Sequence, residues 1–134
     1  MTPASTTTTV LLDTTVIIDV LRNRNQRRAW LEQLILSGKS LAISAVTIAE
    51  VYAGMRPGEE IQTKAQLANF DWIPVTGSIA EHAGLLRSSN ARTGTTHSLM
   101  DLIIAATAMD RAIPLVTDNQ RHFQLQDLML LPLP

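Results

Sequence analysis

Short, solidly apolar runs recur along the chain, separated by longer segments in which apolar residues return every three or four positions. The short runs are typical of strands buried on both faces, and the longer segments are typical of amphipathic helices. The pattern therefore predicts five strands, over residues 10–12, 41–43, 72–75, 113–116 and 128–133.

Polar residues before the helical segments predict where the helices begin. The first helix is predicted to begin at Thr14 or Thr15 and to reach Gly38, with a break at residues 22–25. A polar helix is predicted over residues 59–70. The remaining helices are predicted to follow three N-cap residues, Thr47, Ser78 and Ser98.

The alternation of strands and helices indicates an α/β domain with a mainly parallel sheet. Residues 1–9 are polar and rich in threonine, so a frayed, disordered lead is expected there and a single domain over residues 10–134. The N-terminus lacks the charged and apolar regions of a signal peptide, and no apolar run approaches the roughly 18–20 residues of a membrane span. A cytoplasmic protein that does not associate with membranes is therefore expected.

Composition and charge exclude several classes of protein. The chain is 46% hydrophobic and 17% charged, which is typical of a folded domain rather than a disordered one. The absence of cysteine excludes disulfides, thiolate nucleophiles and cysteine zinc sites. The net charge of −1 gives no reason to expect non-specific nucleic-acid binding, so any such contact must be local. P-loop, dinucleotide-binding and nucleophile-elbow motifs are absent as well.

Four acidic residues stand where strands end or helices begin. Asp13 and Asp118 follow predicted strands, and Glu50 and Asp101 lie near the starts of predicted helices. In a parallel α/β sheet these positions open onto one edge, where ligands bind. Carboxylates gathered there repel one another unless a cation lies among them, and Mg²⁺ and Mn²⁺ prefer oxygen ligands. The pattern suggests metal-dependent hydrolysis of a phosphodiester bond.

Each acid also has a structural interpretation. Glu50 and Asp101 lie three residues after a Thr or Ser, the spacing of a capping box, and Glu81 has the same spacing with no other sign of function. Asp118 precedes an asparagine, which is typical of a turn. Asp13 is the hardest to explain in this way, because an acid at the end of a buried strand needs partners.

Four motifs in order resemble those of PIN domains. They are DTTVIID at residues 13–19, SAVTIAEVYAG at residues 44–54, DLIIAATA at residues 101–108 and VTDNQRHF at residues 116–123. Each motif alone is weak, but together they cover residues 10–123 on the expected strands and helices. The short chain resembles in particular the VapC-type toxins of prokaryotic toxin–antitoxin pairs.

The resemblance implies a Mg²⁺- or Mn²⁺-dependent endoribonuclease with a PIN-like three-layer α/β/α sandwich. The first and third acids of the family are its main metal ligands, and they fall on Asp13 and Asp101. Glu50 then completes the catalytic pocket and orients or deprotonates the attacking water, and Asp118 is the candidate fourth acid. Toxins of this family form homodimers that cleave RNA and are held inactive by a cognate VapB-like antitoxin.

The chain departs from the family pattern at two positions. Thr15 stands where the family often has Asn or Ser, although a hydroxyl can still hold a water or the Asp13 carboxylate. Asn119 stands where the fourth acid is common, so either Asp118 replaces that acid or Asn119 coordinates through its amide oxygen or a water. One or two metal ions fit this pattern. Thr15, Thr117 and Asn119 are predicted to contact substrate or to support the acids.

The departure at Asn119 motivates an alternative function, a degenerate PIN domain that acts as a non-catalytic RNA- or protein-binding module. A small-molecule phosphoryl hydrolase would use the same acids, but the short chain offers no cap domain for a small substrate.

Basic and imidazole side chains add weaker signals. Four arginines within residues 22–28 form either a solvated helix face or a rim that contacts phosphates or an antitoxin. The histidines lack metal-ligand spacing. His97 lies near Asp101 in sequence and is a weak candidate for a substrate contact, whereas His122 is predicted to be structural.

Overall fold

The central feature of the computed structural model, which describes residues 8–92, 94, 97–131 and 133, is a parallel sheet. The strand order in the described residues is β3-β2-β1-β4-β5, and every neighbouring pair is parallel. Chain order reverses at β1, because β2 lies on one side of it and β4 on the other. The strands are β1 (Thr9–Leu12), β2 (Ser40–Ser44), β3 (Asp71–Ile73), β4 (Leu115–Val116) and β5 (Leu130–Leu131).

Six α-helices and one 3₁₀ helix (Gln120–Phe123) connect the strands within the described residues. The predicted break in the first helical segment is confirmed. Residues Asn23, Asn25 and Gln26 have φ values of 53–55°, a left-handed conformation that ends one helix before the next begins. The helices are α1 (Thr14–Leu21), α2 (Arg27–Leu36), α3 (Ala45–Ala53), α4 (Glu60–Leu67), α5 (Gly77–Arg92) and α6 (Leu99–Arg111).

Helices cover both faces of the sheet, which confirms the predicted three-layer α/β/α sandwich. Alternate residues of a strand point to opposite faces, so Val10 and Leu12 of β1 pack with α1, α3 and α4. Leu11 points the other way and packs against Ile104 and Ala108 of α6. Both faces are therefore dry, which explains why the strands are apolar without alternation.

The caps of α1 and α3 differ from those predicted. Asp13, rather than Thr14 or Thr15, caps α1, and its Oδ1 accepts from the backbone N–H of the next residue at 2.8 Å. Ser44, rather than Thr47, caps α3 and accepts a backbone N–H two residues later at 3.2 Å. In both cases the strand runs almost directly into the helix, so a residue at the end of the strand provides the cap.

The caps of α5 and α6 give one correction and one confirmation. The predicted cap Ser78 lies inside α5, and the Thr76 hydroxyl instead accepts the backbone N–H of Ile79 at 3.2 Å. Ser98 caps α6 as predicted and accepts the N–H of Asp101 at 3.1 Å. These caps fix where α6 begins, and therefore where Asp101 lies.

Two sequence expectations concern the ends and the environment of the chain. Residues 1–7 of the predicted lead lie outside the described residues, and Thr9 already belongs to β1. Among the helices of the described residues, none is long and apolar enough to cross a bilayer.

Candidate active site

The ends of β1 and β4 bring Asp13 and Thr117 together. Asp13 directly follows β1, and its backbone N–H donates to the carbonyl of Val116 at 3.0 Å. Thr117 follows β4, is fully buried and donates from its hydroxyl to Oδ2 of Asp13 at 2.8 Å. This junction is the point where chain order reverses in the sheet, the usual position of ligand sites in open α/β folds.

The Asp13 carboxylate lies in an environment short of positive charge. It is only 4% exposed, and burial raises its pKa above the ordinary value. The hydrogen bonds from Thr117 and from the backbone of Thr14 lower the pKa in part, whereas the negative charges of Asp101 and Asp118 raise it further. A cation beside Asp13 would offset both the loss of hydration that burial causes and the repulsion from Asp101 and Asp118.

Glu50 is held by α1 rather than by the start of its own helix. It is the sixth residue of α3, beyond the first turn in which it was expected, so the predicted capping box with Thr47 is wrong. Oε1 of Glu50 instead accepts from the hydroxyl of Thr14 at 2.8 Å. The hydroxyls of Thr14 and Thr47 are 2.9 Å apart, and with the Thr14 proton directed to Glu50, Thr47 donates to Thr14. The two hydrogen bonds, from Thr47 to Thr14 and from Thr14 to Glu50, hold the Glu50 carboxylate against α1, the helix that Asp13 caps.

Asp118 contributes its side chain to the site, whereas Asn119 contributes its backbone. Oδ1 of Asp118 accepts from the Thr15 hydroxyl at 3.2 Å, and the same hydroxyl lies 3.4 Å from Oδ2 of Asp13. Asn119 contributes its backbone N–H, which donates to the Thr117 hydroxyl at 3.0 Å. The carboxylate of Asp118 is therefore linked through Thr15 to Asp13, while Asn119 orients Thr117.

Asp101 contacts a histidine that was predicted to be structural. Its Oδ2 lies 2.8 Å from Nε2 of His122, which belongs to the 3₁₀ helix after β4. His97 is 5% exposed and bonds through Nε2 to the backbone carbonyl of His122 at 2.5 Å, with the two rings 4.8 Å apart. The backbone N–H of Asp101 thus donates to the Ser98 hydroxyl, while its carboxylate turns to His122 instead of back to the cap.

The acids offer only oxygen atoms as metal ligands, and in the described residues they do not surround a common metal position. Burial and like-charged neighbours act on Asp13, which suits a hard divalent cation. No group of three or more acidic or histidine side chains in the described ranges is arranged to hold a metal ion. Asp13 and Asp101 each engage protein donors, and Oδ1 of Asp101 accepts no hydrogen bond from the described residues.

The predicted basic cluster divides into side chains with different surroundings. Arg22 pairs with Glu59 at 2.5 Å. Arg28 donates to the carbonyls at the end of α1, at 2.8 and 3.2 Å. Arg24 is exposed, whereas Arg27 is only 7% exposed. The cluster is therefore not one continuous solvated face.

Thr14 and His122 are the part of the site that sequence reasoning missed or underrated. Thr14 is only 8% exposed and lies in the first turn of α1, on the face that the helix buries. A polar residue on the buried face of an amphipathic helix was the signal that could have identified it. His122 gave no such signal, because its partner Asp101 lies 21 residues away in sequence.

Comparisons with known proteins agree with this architecture. The sequence model of the PIN domain family matches residues 10–128. The chain is 37% identical over 116 residues to Ribonuclease VapC10 of Mycobacterium tuberculosis, and the match covers 87% of this chain and 86% of that protein.

Comparison with solved structures also agrees with this architecture. VapBC2 from Rickettsia felis, bound to a DNA fragment from their promoter, has a TM-score of 0.80 at 24% identity, covering 94% of this chain and 99% of that chain, and shows the shared fold. A toxin–antitoxin complex from Klebsiella pneumoniae has a TM-score of 0.74 at 30% identity, covering 90% of this chain and 95% of that chain.

Proposed function

The chain belongs to the PIN domain family, and on that premise we propose that it is a metal-dependent endoribonuclease toxin neutralised by a cognate antitoxin. The observation that carries the proposal is the Asp13 carboxylate. It is buried where chain order reverses in the sheet, and the negative charges of Asp101 and Asp118 raise its pKa. A cation beside such a group favours its ionised form.

Asp13 and Asp101 are the side chains that we assign to a Mg²⁺ or Mn²⁺ ion. When bound, an ion of this kind neutralises phosphate charge and stabilises the leaving oxygen of a displacement. Thr117 holds Oδ2 of Asp13, and His122 holds Oδ2 of Asp101, so the rotation of both carboxylates is limited before any ligand arrives. A preset pair of ligands loses less freedom when it binds.

Glu50 is the acid that we assign to the attacking water. Its Oε1 is occupied by Thr14, which leaves Oε2 to orient the water and accept its proton. Asp118 takes the fourth acidic position and is linked to Asp13 through Thr15. Asn119 supports Thr117 by its backbone N–H rather than replacing an acid.

RNA and an antitoxin are the partners that we propose. The relative from Mycobacterium tuberculosis is a ribonuclease, and the similar Klebsiella pneumoniae structure is a toxin–antitoxin complex. We also propose a homodimer that acts in the cytoplasm, where RNA is synthesised and degraded.

The test is cleavage of total RNA by purified, antitoxin-free protein with Mg²⁺ or Mn²⁺, with and without EDTA. Asp101→Asn keeps the shape of the side chain and its contact with His122 but removes the charge, and it should reduce cleavage at least about 100-fold. Glu81→Gln is the matched control, because Glu81, like Asp101, lies three residues after a serine, whereas Glu81 is exposed and Asp101 is partly buried. It should cleave like the wild type.

Two results would contradict the proposal. Full activity of folded Asp101→Asn, or cleavage that persists in EDTA, would remove the metal from the mechanism. RNA binding by the wild type without cleavage of any RNA class would replace the nuclease with the alternative, a non-catalytic binding module.

A further inference from the structure

Arg27 is a buried cation without a partner in the described part of the chain. It begins α2, is 7% exposed, and its Nε has no hydrogen-bond partner among the described residues. Among those residues, Arg22 pairs with Glu59 and His122 contacts Asp101, and neither contact involves Arg27. Buried guanidinium groups in proteins are normally paired, so this one calls for a ligand.

The Arg27 side chain lines a cavity of about 500 Å³. Arg121, Asn119, Gln120 and Asp118 also line the cavity. Two arginines and one acid therefore line the cavity, and the carboxylate of that acid, Asp118, already accepts a hydrogen bond from Thr15. A guanidinium presents its N–H groups as a planar fork that matches a phosphate, and the volume is sufficient for a phosphate with its attached sugar.

The cavity adjoins the acidic site through Thr117. This residue lines the cavity, and its hydroxyl donates to Asp13 at 2.8 Å. An RNA strand whose reacting phosphate lies at the acids must continue along the protein surface beyond them. The cavity is a cationic space directly beside the acids, where the next phosphate of that strand can lie. The acids repel a phosphate, whereas Arg27 and Arg121 attract one.

We propose that Arg27, together with Arg121, forms a subsite for an RNA backbone phosphate next to the bond that is cut. This inference rests on the proposed ribonuclease function and adds the position that the flanking nucleotide occupies. The contact is to the backbone, so it acts on every RNA sequence alike.

The test compares Arg27→Met with Arg111→Met. Both remove one positive charge, but Arg111 is exposed in the last turn of α6. Binding of fluorescein-labelled U12 RNA is measured by anisotropy in EDTA, where no metal-dependent cleavage occurs, over a range of salt concentrations. Arg27→Met should weaken binding about 10-fold and reduce the slope of log K against log salt by about 0.7. Arg111→Met should change the affinity less than twofold.

Thermal unfolding without metal supplies a second measurement. Arg27→Met should have a Tm equal to or above that of the wild type, because an unpaired buried charge is removed. Inorganic pyrophosphate should raise the Tm of the wild type and of Arg111→Met, but not that of Arg27→Met. Should Arg27→Met fail to fold, Arg27→Lys keeps the charge and loses the fork, and it should bind U12 about threefold more weakly than the wild type.

Three outcomes separate the alternatives. Equal U12 binding and equal pyrophosphate stabilisation in wild type and Arg27→Met would overturn the subsite. Unchanged RNA and pyrophosphate binding with weaker antitoxin binding would assign Arg27 to the protein partner instead. If the wild type cleaves no RNA with Mg²⁺ or Mn²⁺, the ribonuclease proposal fails, and the pyrophosphate measurement alone decides whether Arg27 holds an anion.

Discussion

Thr117→Val tests whether the hydroxyl that supports Asp13 stabilises the fold as well as the site. Thr117 is fully buried, and its hydroxyl makes two bonds: it donates to Oδ2 of Asp13 at 2.8 Å and accepts the N–H of Asn119 at 3.0 Å. Valine has nearly the same shape, so the change removes these bonds without leaving a cavity. The Asp13 carboxylate, 4% exposed, then keeps only the backbone bond from Thr14 and the long 3.4 Å approach of Thr15.

The expected loss follows from these two bonds. A hydrogen bond to a charged group contributes about 1.5–3 kcal/mol, and one between neutral groups about 1 kcal/mol. The N–H of Asn119 lies in an exposed loop and can turn to water, so its share is smaller. We expect the free energy of unfolding to fall by about 2–3 kcal/mol, which for a chain of this length lowers Tm by about 6–15 °C.

The assay is urea unfolding in EDTA at pH 7, followed by tryptophan fluorescence. Thr107→Val is the matched control, because Thr107 is also fully buried and its hydroxyl donates to the carbonyl of Ile103 at 2.7 Å. That carbonyl keeps its helical hydrogen bond, so the control should lose less than about 1 kcal/mol. In an Asp13→Asn background the Thr117→Val loss should shrink by at least about 1 kcal/mol, because the acceptor is then neutral.

Equal losses for Thr117→Val and Thr107→Val would refute the reasoning, because the carboxylate would then add nothing to the bond. The same conclusion would follow if the Thr117→Val loss were as large in the Asp13→Asn background as in the wild type.

Three further variants test the other supports of the site. Asp13→Asn should raise Tm in EDTA at pH 7, because the folded pKa of Asp13 is raised and its ionised form opposes folding. The gain should disappear as the pH falls to the unfolded value of about 3.9, and a pH-independent gain would contradict this reasoning. Thr14→Val removes the donor to Glu50, so RNA cleavage should fall about 10-fold and stability by about 1–2 kcal/mol; unchanged cleavage would show that Glu50 needs no such support. His122→Phe should weaken Mn²⁺ binding to Asp101 about 10-fold by calorimetry, since outer partners orient metal ligands, and unchanged affinity would make His122 a packing residue.

Local sequence patterns predicted the sheet and the four acids because those features depend on nearby residues and on one topological rule. An apolar run that stops at an acid marks a strand end, and parallel strands bring their ends to one edge. Asp13 and Asp118 follow from this reasoning. The predicted caps failed at α1 and α3 because β1 and β2 run into these helices with almost no loop, so Asp13 and Ser44 serve as caps.

Two of the contacts that orient the acids were not predicted, because they join residues far apart in sequence whose pairing no local pattern indicates. Thr14 reaches Glu50 across 36 residues, and His122 reaches Asp101 across 21. The burial of Arg27 is another such case, since a helix with basic residues is usually a solvated face. Each of these depends on how one element packs on another rather than on the residues beside it.

Hydroxyl groups, rather than lysine or arginine side chains, orient three of the four acids in the described part of the chain. Thr117, Thr14 and Thr15 each donate to a carboxylate, and together they orient Asp13, Glu50 and Asp118. A lysine or arginine in the same places would neutralise the acids and occupy the space that a cation needs, whereas a hydroxyl orients a carboxylate and leaves its charge intact. The pKa of Asp13 stays raised despite these bonds. The threonines therefore hold the acids in place while leaving a charge imbalance that a bound divalent ion would resolve.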